Sequence, residues 1–236
     1  MKIKTLSVLA GVGAPLILTA HAPAGFLGIK AVGKPNEFGL IVCNIYAVFD
    51  RPGEDWFNKV GGTPNFPILI QVEGGGTFYN HGFGTDRAPG SALVNAFPSL
   101  AFDTFVTIGI KQTGLVNDAL VITSGFPAGI TGTQLFTDAG GWATIFDPQG
   151  NPFDPNYAGG NGEVLIAQFA TADGTGFSGT MLPGGLSNGE SFQTVASFFH
   201  VPAPGAVALL GVFGLYGRRR RRRRGVTQDV RHELSR

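Results

Sequence analysis

Histidine and cysteine, which supply much of the nucleophilic and metal-binding chemistry of proteins, are scarce in this chain. Its 236 residues include four His and one Cys. His81 and His200 are the two histidines between residues 25 and 200, and a Ser–His triad or a zinc centre would normally use more of them. Ser178 lies in a Gly-Phe-Ser-Gly stretch that lacks the full pattern of a hydrolase nucleophile. We predict no catalytic residues, and we expect Cys43 to be buried and unreactive.

Carboxylates in pairs would indicate a glycosidase, which needs two acidic groups on either side of the scissile bond. The candidates are Asp50, Glu54, Asp55, Glu73 and Glu163. Glu54 and Asp55 follow a Pro-Gly pair, where solvated turn acids are common, and sequence spacing alone does not place two carboxyls across a cleft. A secreted hydrolase is therefore the least favoured of the functions considered.

One segment is rich in the oxygen donors that calcium prefers. Asp147, Asn151, Asp154 and Asn156 lie within ten residues of each other. Their spacing differs from that of an EF-hand, and Asp-Pro and Asn-Pro pairs also form ordinary turns. Calcium is the one cofactor that the sequence leaves open, and we predict no other.

Large aromatic side chains could stack on sugars if they lie on the surface. Trp56, Tyr79 and Trp142 are the candidates. In a small β domain such residues are more often part of the core. Both interpretations stay open at the level of sequence.

Strand-forming residues and turn residues alternate along the central part of the chain. Phe, Val and Thr are frequent, and the chain has 37 Gly and 15 Pro. No long stretch between residues 25 and 200 has helical apolar spacing, and no long repeat is visible. The clearest predicted strands are 38–49, 67–72, 102–110, 162–170 and 190–199, with shorter ones at 142–146 and 177–182. The pattern predicts an all-β fold, a single antiparallel β-sandwich or jelly-roll-like domain over residues 25–200.

The first 24 residues have the features of a secretory signal peptide. A positively charged start is followed by an apolar run over residues 6–18. Ala22 and Ala24 then satisfy the small-x-small rule, which predicts cleavage by signal peptidase before Gly25. A buried helix or an uncleaved anchor is the alternative, but the run is short for a span of about 20 residues and contains Pro15.

Charge is distributed unevenly along the chain. Residues 25–200 hold six basic and fourteen acidic residues, a net charge of −8, whereas residues 201–236 hold nine Arg. An acidic body is a poor nucleic-acid binder, because phosphate contacts require Lys and Arg. We therefore expect no nucleic-acid partner.

The C-terminal segment combines three features in order. A Pro-containing motif, Val201, Pro202, Ala203 and Pro204, begins an uncharged run of seventeen residues, the lower limit for a transmembrane helix. Seven arginines follow it: Arg218, Arg219, Arg220, Arg221, Arg222, Arg223 and Arg224. By the positive-inside rule they would stop transfer and stay cytoplasmic. Residues 225–236 form a polar extension that we expect to be disordered.

This arrangement resembles the PEP-CTERM sorting domain over residues 201–224. The resemblance implies recognition by an exosortase, a membrane-embedded enzyme similar to a cysteine transpeptidase, which cuts near the Pro-containing motif. Ala203 stands where the family commonly has Glu, and residues 225–236 extend past the point where most such tails end. The implied path is transient anchoring in the inner membrane, then release to the cell surface or extracellular matrix.

Two functions of different classes remain. The sequence favours an exported, non-enzymatic surface or extracellular-matrix protein that is sorted through its C-terminal tail. The alternative is a secreted carbohydrate-binding module that acts on extracellular polysaccharide, which would require exposed aromatic side chains.

Overall fold

The computed structural model describes residues 25–52, 54–113, 120–144, 158 and 160–201, and strands dominate them. The strands are β1 (Phe26–Pro35), β2 (Ile41–Phe49), β3 (Trp56–Gly61), β4 (Ile68–Glu73), β5 (Phe105–Val106), β6 (Leu120–Ile122), β7 (Gln134–Thr137), β8 (Gly141–Thr144), β9 (Glu163–Thr171), β10 (Gly176–Ser187), β11 (Glu190–Gln193) and β12 (Ala196–His200). One short helix, α1 (Ser91–Ala96), and a 3-10 helix (Pro98–Phe102) lie between β4 and β5. The named strands pair antiparallel throughout. The predicted all-β fold is confirmed.

The first sheet has the order β1-β2-β9-β5. In β2 the side chains alternate, with Cys43, Ile45, Ala47 and Phe49 buried and the residues between them half-buried. This is the period-2 pattern of a strand with one face on the core. This alternation explains why the sequence predicts β2.

The second sheet has β10 at its centre, and the strands beside it come in collinear pairs. β3 and β4 follow one edge of β10, and β11 and β12 follow the other. β7 and β8 then pair with β4 and β3, and β6 pairs with β8 at the margin. Every pair is interrupted at the same level, opposite Met181–Pro183 of β10, and we call this line of interrupted pairing the crease.

A tight turn joins β10 to β11. Asn188 has φ 56° and Gly189 has φ 76°. Two successive left-handed residues make the two-residue hairpin turn that Asn-Gly favours, and its twist matches that of the strands. The turn fixes the register in which Ser187 lies opposite Glu190.

Side chains of both sheets form one core. Phe169 of β9 and Phe177 of β10 are fully buried, with ring centroids 6.0 Å apart. Phe78, from the loop after β4, packs against them at 5.6 and 6.0 Å. Burying one such ring stabilises a fold by about 1.5–3 kcal/mol, and the shared core makes the body sandwich-like.

Two predicted strands differ in the structure. Residues 102–110 form only the two-residue β5, because the 3-10 helix ends at Phe102 and the chain bends at Ile108 and Gly109. Residues 190–199 are split into β11 and β12 at the crease. Within the described ranges no helix is long and apolar enough to cross a membrane. The predicted signal and tail helices fall on residues outside those ranges.

Candidate functional site

Asp103 is a carboxyl buried beneath the loop that connects β4 to β5. It follows the 3-10 helix and is completely buried. Its Oδ1 accepts the backbone N–H of His81 at 2.7 Å, and its Oδ2 has no hydrogen-bond partner. Burial raises the pKa of this carboxyl to about 6, against the lowering effect of the hydrogen bonds from the His81 and Thr104 amides.

The backbone around Asp103 is fixed by side chains of β9. Gln168 donates from its Nε2 to the carbonyls of Ala101 and Asp103, at 2.9 Å each. The hydroxyl of Thr104 accepts the N–H of Ala170 at 3.1 Å. Because these partners belong to the first sheet, the carboxyl is held rigidly against the body of the fold.

Gly84 closes over the carboxyl from the other side. A Cβ at this position would overlap the Oδ2 of Asp103. The N–H of Gly84 donates to the carbonyl of His81 at 2.7 Å, which makes a tight turn. The carboxyl is therefore covered by backbone, and its geometry suits the ordering of the loop better than direct contact with a substrate.

Three rings lie together on the outside of this loop. His81, Phe83 and Phe97 have pairwise centroid distances of 5.8, 6.2 and 4.7 Å, and we call them the ring cluster. Phe83 is 59% exposed and Phe97 is 39% exposed. The Nδ1 of His81 accepts the N–H of Phe83 at 3.2 Å, so the neutral imidazole carries its proton on Nε2. The cluster offers apolar ring faces beside one polar N–H.

Asp86 ties the same loop to a second one. Its two carboxylate oxygens accept the N–H groups of Gly129 and Ile130, at 2.9 and 2.8 Å. The Nη1 of Arg87 donates to the carbonyl of Leu120 at 2.8 Å. The ring cluster is thus carried on a loop whose backbone is anchored at several points.

The aromatic residues that the sequence suggested for sugar binding lie elsewhere. Trp142 is 1% exposed, and its Nε1 donates to the carbonyls of Thr107 and Ile166 at 3.1 Å each. Trp56 is also buried, and Tyr79 is half-buried. The sugar-stacking role considered for the two tryptophans is therefore wrong, because both belong to the interior.

The candidate nucleophiles and histidines are not brought into a catalytic arrangement with one another. Cys43 is completely buried, and burial raises the pKa of its thiol to about 12, as expected of an unreactive core residue. The hydroxyl of Ser178 donates to a carboxylate oxygen of Glu73. His200 lies on β12 against Gly33 of β1, and burial lowers the pKa of its imidazole.

Three of the other candidate carboxylates are engaged with separate partners. Glu163 forms an ion pair with Lys30 at 2.6 Å, and Glu54 lies 3.7 Å from Arg51. Asp55 accepts the N–H of Asn188 at 3.0 Å. Among the residues described, no three His, Cys, Asp or Glu side chains are grouped so as to hold a metal. The calcium candidates Asp147, Asn151, Asp154 and Asn156 lie outside those residues.

The structure describes one residue of each predicted processing site. Gly25 is buried, whereas Ala22 and Ala24 lie outside the described residues. Val201 is 42% exposed at the end of a groove of about 620 Å³ between β1 and β12, which Leu27 and Phe199 also line. Pro202, Ala203, Pro204 and Arg218–Arg224 lie outside the described residues.

Sequence reasoning missed Phe83, Phe97 and Asp103. A Phe between two glycines, as in Gly82-Phe-Gly84, was a usable signal, since such a loop has little other apolar material to cover the ring. Asp103 stands alone among apolar residues, which is the pattern of a buried acid. Comparisons with family models, curated proteins and solved structures found no match for this chain.

Proposed function

We propose that this protein is an exported, non-enzymatic surface or extracellular-matrix protein whose C-terminal tail is processed by an exosortase-like enzyme. In this proposal signal peptidase removes residues 1–24 as a signal helix. Residues 25–200 form one sandwich or jelly-roll domain. Residues 201–217 cross the inner membrane as a short helix, and the arginine block stays on the cytoplasmic side.

The observation that carries the proposal is where the first and the last of the described strands lie in the chain. β1 begins at Phe26, one residue after the predicted cleavage position, and β12 ends at His200, one residue before the Pro-containing motif. A leader and a sorting tail must both lie outside the core, since each is removed or held in the membrane. The exposed side chain of Val201 also leaves the start of the motif accessible to an enzyme.

The experiment is expression in a bacterium that has an exosortase and in the same strain without it. Mass spectrometry of the exported protein should give Gly25 as the first residue in both strains. The tail should be cut near Pro202–Pro204 only when the exosortase is present. Full-length material that stays in the cytoplasm refutes export. The same C-terminal residue in the two strains refutes sorting by this enzyme.

Carbohydrate binding is the second candidate, and the ring cluster favours it. Phe83 and Phe97 are exposed on an anchored loop, and exposed aromatic rings can stack on the apolar sides of sugars. The exported protein should then bind a polysaccharide on a glycan array, and Phe83→Ala or Phe97→Ala should weaken binding at least tenfold. Phe66→Ala is the matched control, because the exposed fraction of Phe66, 51%, lies between those of Phe97 and Phe83 and its ring makes no contact with the cluster. Equal binding by all variants, or none by the parent, refutes this candidate.

A further inference from the structure

Gly25 occupies a position that only glycine can fill. Its φ is +129°, and a Cβ there would overlap the hydroxyl oxygen of Ser187 and lie 3.1 Å from Oδ2 of Asp55. Its carbonyl accepts the N–H of Asp50 at 2.9 Å. The carbonyl of Gly25 is therefore held by a hydrogen bond, and its α-carbon faces the side chains of Ser187 and Asp55.

Asp55 is completely buried, and its carboxylate is only half satisfied. Oδ1 accepts the N–H of Asn188 from the β10–β11 turn at 3.0 Å, while Oδ2 has no hydrogen-bond partner. The backbone carbonyl of Asp55 accepts the N–H of Ala158 at 3.0 Å, which holds the residue in place. An unpaired carboxylate oxygen in the interior is costly, and a cation is the partner that offsets the cost best.

The charged groups nearby leave Oδ2 without such a partner. Arg51 uses its Nη1 for the Oδ1 of Asn188 at 2.6 Å and lies 3.7 Å from Glu54. Asp50 and Glu54, on the same β2–β3 connection, and Glu190, on β11, are acidic. Ser187 and Asn188 of the turn are neutral. The segments that flank Asp55 in the β2–β3 connection and in the β10–β11 hairpin thus carry more acidic than basic residues.

We propose that the α-ammonium group created by cleavage before Gly25 binds Oδ2 of Asp55, so that export processing completes a buried ion pair. The inference rests on the proposed removal of residues 1–24. In that step water hydrolyses the Ala24–Gly25 peptide bond, the new carboxylate stays on Ala24, and the amine of Gly25 takes up a proton. The α-carbon that carries the ammonium lies within about 4.6 Å of Oδ2, by adding one C–C bond to the 3.1 Å distance.

Cleavage before Gly25 creates the positive charge and also allows the nitrogen that carries it to rotate. Before cleavage the nitrogen of Gly25 is a neutral amide fixed in the chain. After cleavage the α-amino group can rotate about the Cα–C bond while the carbonyl stays on Asp50. The processed chain therefore gains a contact that the precursor lacks.

The test measures how the labelling of the α-amino group of Gly25 depends on pH. The exported protein is treated with limiting acetic anhydride between pH 6 and pH 11, and mass spectrometry quantifies the modified peptide 25–30. A carboxylate partner raises the pKa of the α-amino group above its ordinary value of about 8. We expect the midpoint of labelling near pH 9 in the parent, which makes the free amine about fivefold scarcer at pH 8, and near pH 8 in Asp55→Asn.

Asp103→Asn is the matched control, because Asp103 is equally buried with an unpartnered oxygen but contacts Gly84 rather than Gly25. Its midpoint should equal that of the parent. Equal midpoints in the parent and Asp55→Asn overturn the inference while leaving export intact. If Asp55→Asn is not exported, a parent midpoint at or below about pH 8 overturns it. A first residue other than Gly25 overturns it together with the predicted cleavage position, and retention of Met1 in the cytoplasm refutes the proposed export itself.

Discussion

The carboxyl of Asp103 and the α-carbon of Gly84 are in such close contact that no side chain fits between them. A Cβ on Gly84 would overlap Oδ2, although the φ of this glycine is not left-handed. Space, rather than backbone conformation, therefore requires glycine at this position. The contact seals the carboxyl beneath the loop that carries the ring cluster.

Gly84→Ala should destabilise the protein by about 1–3 kcal/mol, the usual cost of forcing a methyl group into a filled site. The measurement is urea unfolding of the purified protein. Gly82→Ala is the control from the same loop, because a Cβ at Gly82 meets nothing within 4 Å. It should change the free energy of unfolding by less than about 0.5 kcal/mol. Equal effects of the two substitutions would contradict the packing described.

Asp103→Asn should change the pH dependence of stability. The pKa of Asp103 is raised to about 6 in the folded protein, above the unfolded value near 3.9, so the folded state binds the proton more tightly. Protonated Asp103 therefore contributes to the stability of the folded parent below about pH 4, and this contribution is lost as the pH rises through 6. The stability of Asp103→Asn relative to the parent should rise by at most about 3 kcal/mol between pH 4 and pH 7.

Asp173→Asn provides a control of opposite sign. The pKa of Asp173 is lowered, chiefly by the hydrogen bond from the Thr77 amide, so its contribution is present above the unfolded pKa and is lost as the pH falls through the folded one. The stability of this variant relative to the parent should fall as the pH rises. Urea unfolding at pH 2.5, 4, 5.5 and 7 measures both slopes, that of Asp173→Asn below about pH 4 and that of Asp103→Asn between about pH 4 and pH 6, and slopes of the same sign would refute the assignment.

Cys43 should be inert in the folded protein. With the pKa of its thiol at about 12, only about one thiol in ten thousand is ionised at pH 8, and the side chain is completely buried. Iodoacetamide at pH 8 should leave it unmodified and should label it fully in guanidinium chloride. Labelling at similar rates in both states would show that β2 opens readily.

The tail should respond differently to two sets of substitutions. Replacing all of Arg218–Arg224 by Ser should let the chain pass through the membrane, since each Arg near the bilayer centre costs roughly 2.5–3.5 kcal/mol on insertion scales. Replacing Pro202 and Pro204 by Ala should keep the anchor but prevent cleavage. Cell fractionation and mass spectrometry distinguish the outcomes, and processing of both variants like the parent would refute the sorting hypothesis.

Local patterns predicted the strands that are rich in apolar residues of their own, whether burial alternates along them, as in β2 and β4, or is nearly continuous, as in β9. β2, β4 and β9 were anticipated within three residues at each end, because each has an apolar face long enough to be visible. β1 and β3 were not anticipated. β1 contains Gly28, Gly33 and two Lys, and it is a strand because it pairs with β2 along its whole length.

The ring cluster shows why a site is harder to predict than a strand. His81 was noticed as a histidine in a Gly-rich loop, but its neighbours Phe83 and Phe97 are joined to it by the turn at Gly84 and by α1. The anchor of that turn, Asp103, looked like part of a strand. Its role depends on Gln168 of β9, 65 residues away, and such distant partners leave no local signal.

The crease in the second sheet divides its ladders of backbone hydrogen bonds into two sets. β3, β8 and β11 lie on one side of it, β4, β7 and β12 lie on the other, and among the described strands of this sheet β10 alone continues through. Pro183, which has no N–H to donate, stands at the crossing point. Amide hydrogen exchange should therefore report two opening free energies for this sheet, one for each side. A strain applied to one set of strands therefore reaches the other through the continuous backbone of β10 and through the short connections at residues 62–67, 138–140 and 194–195.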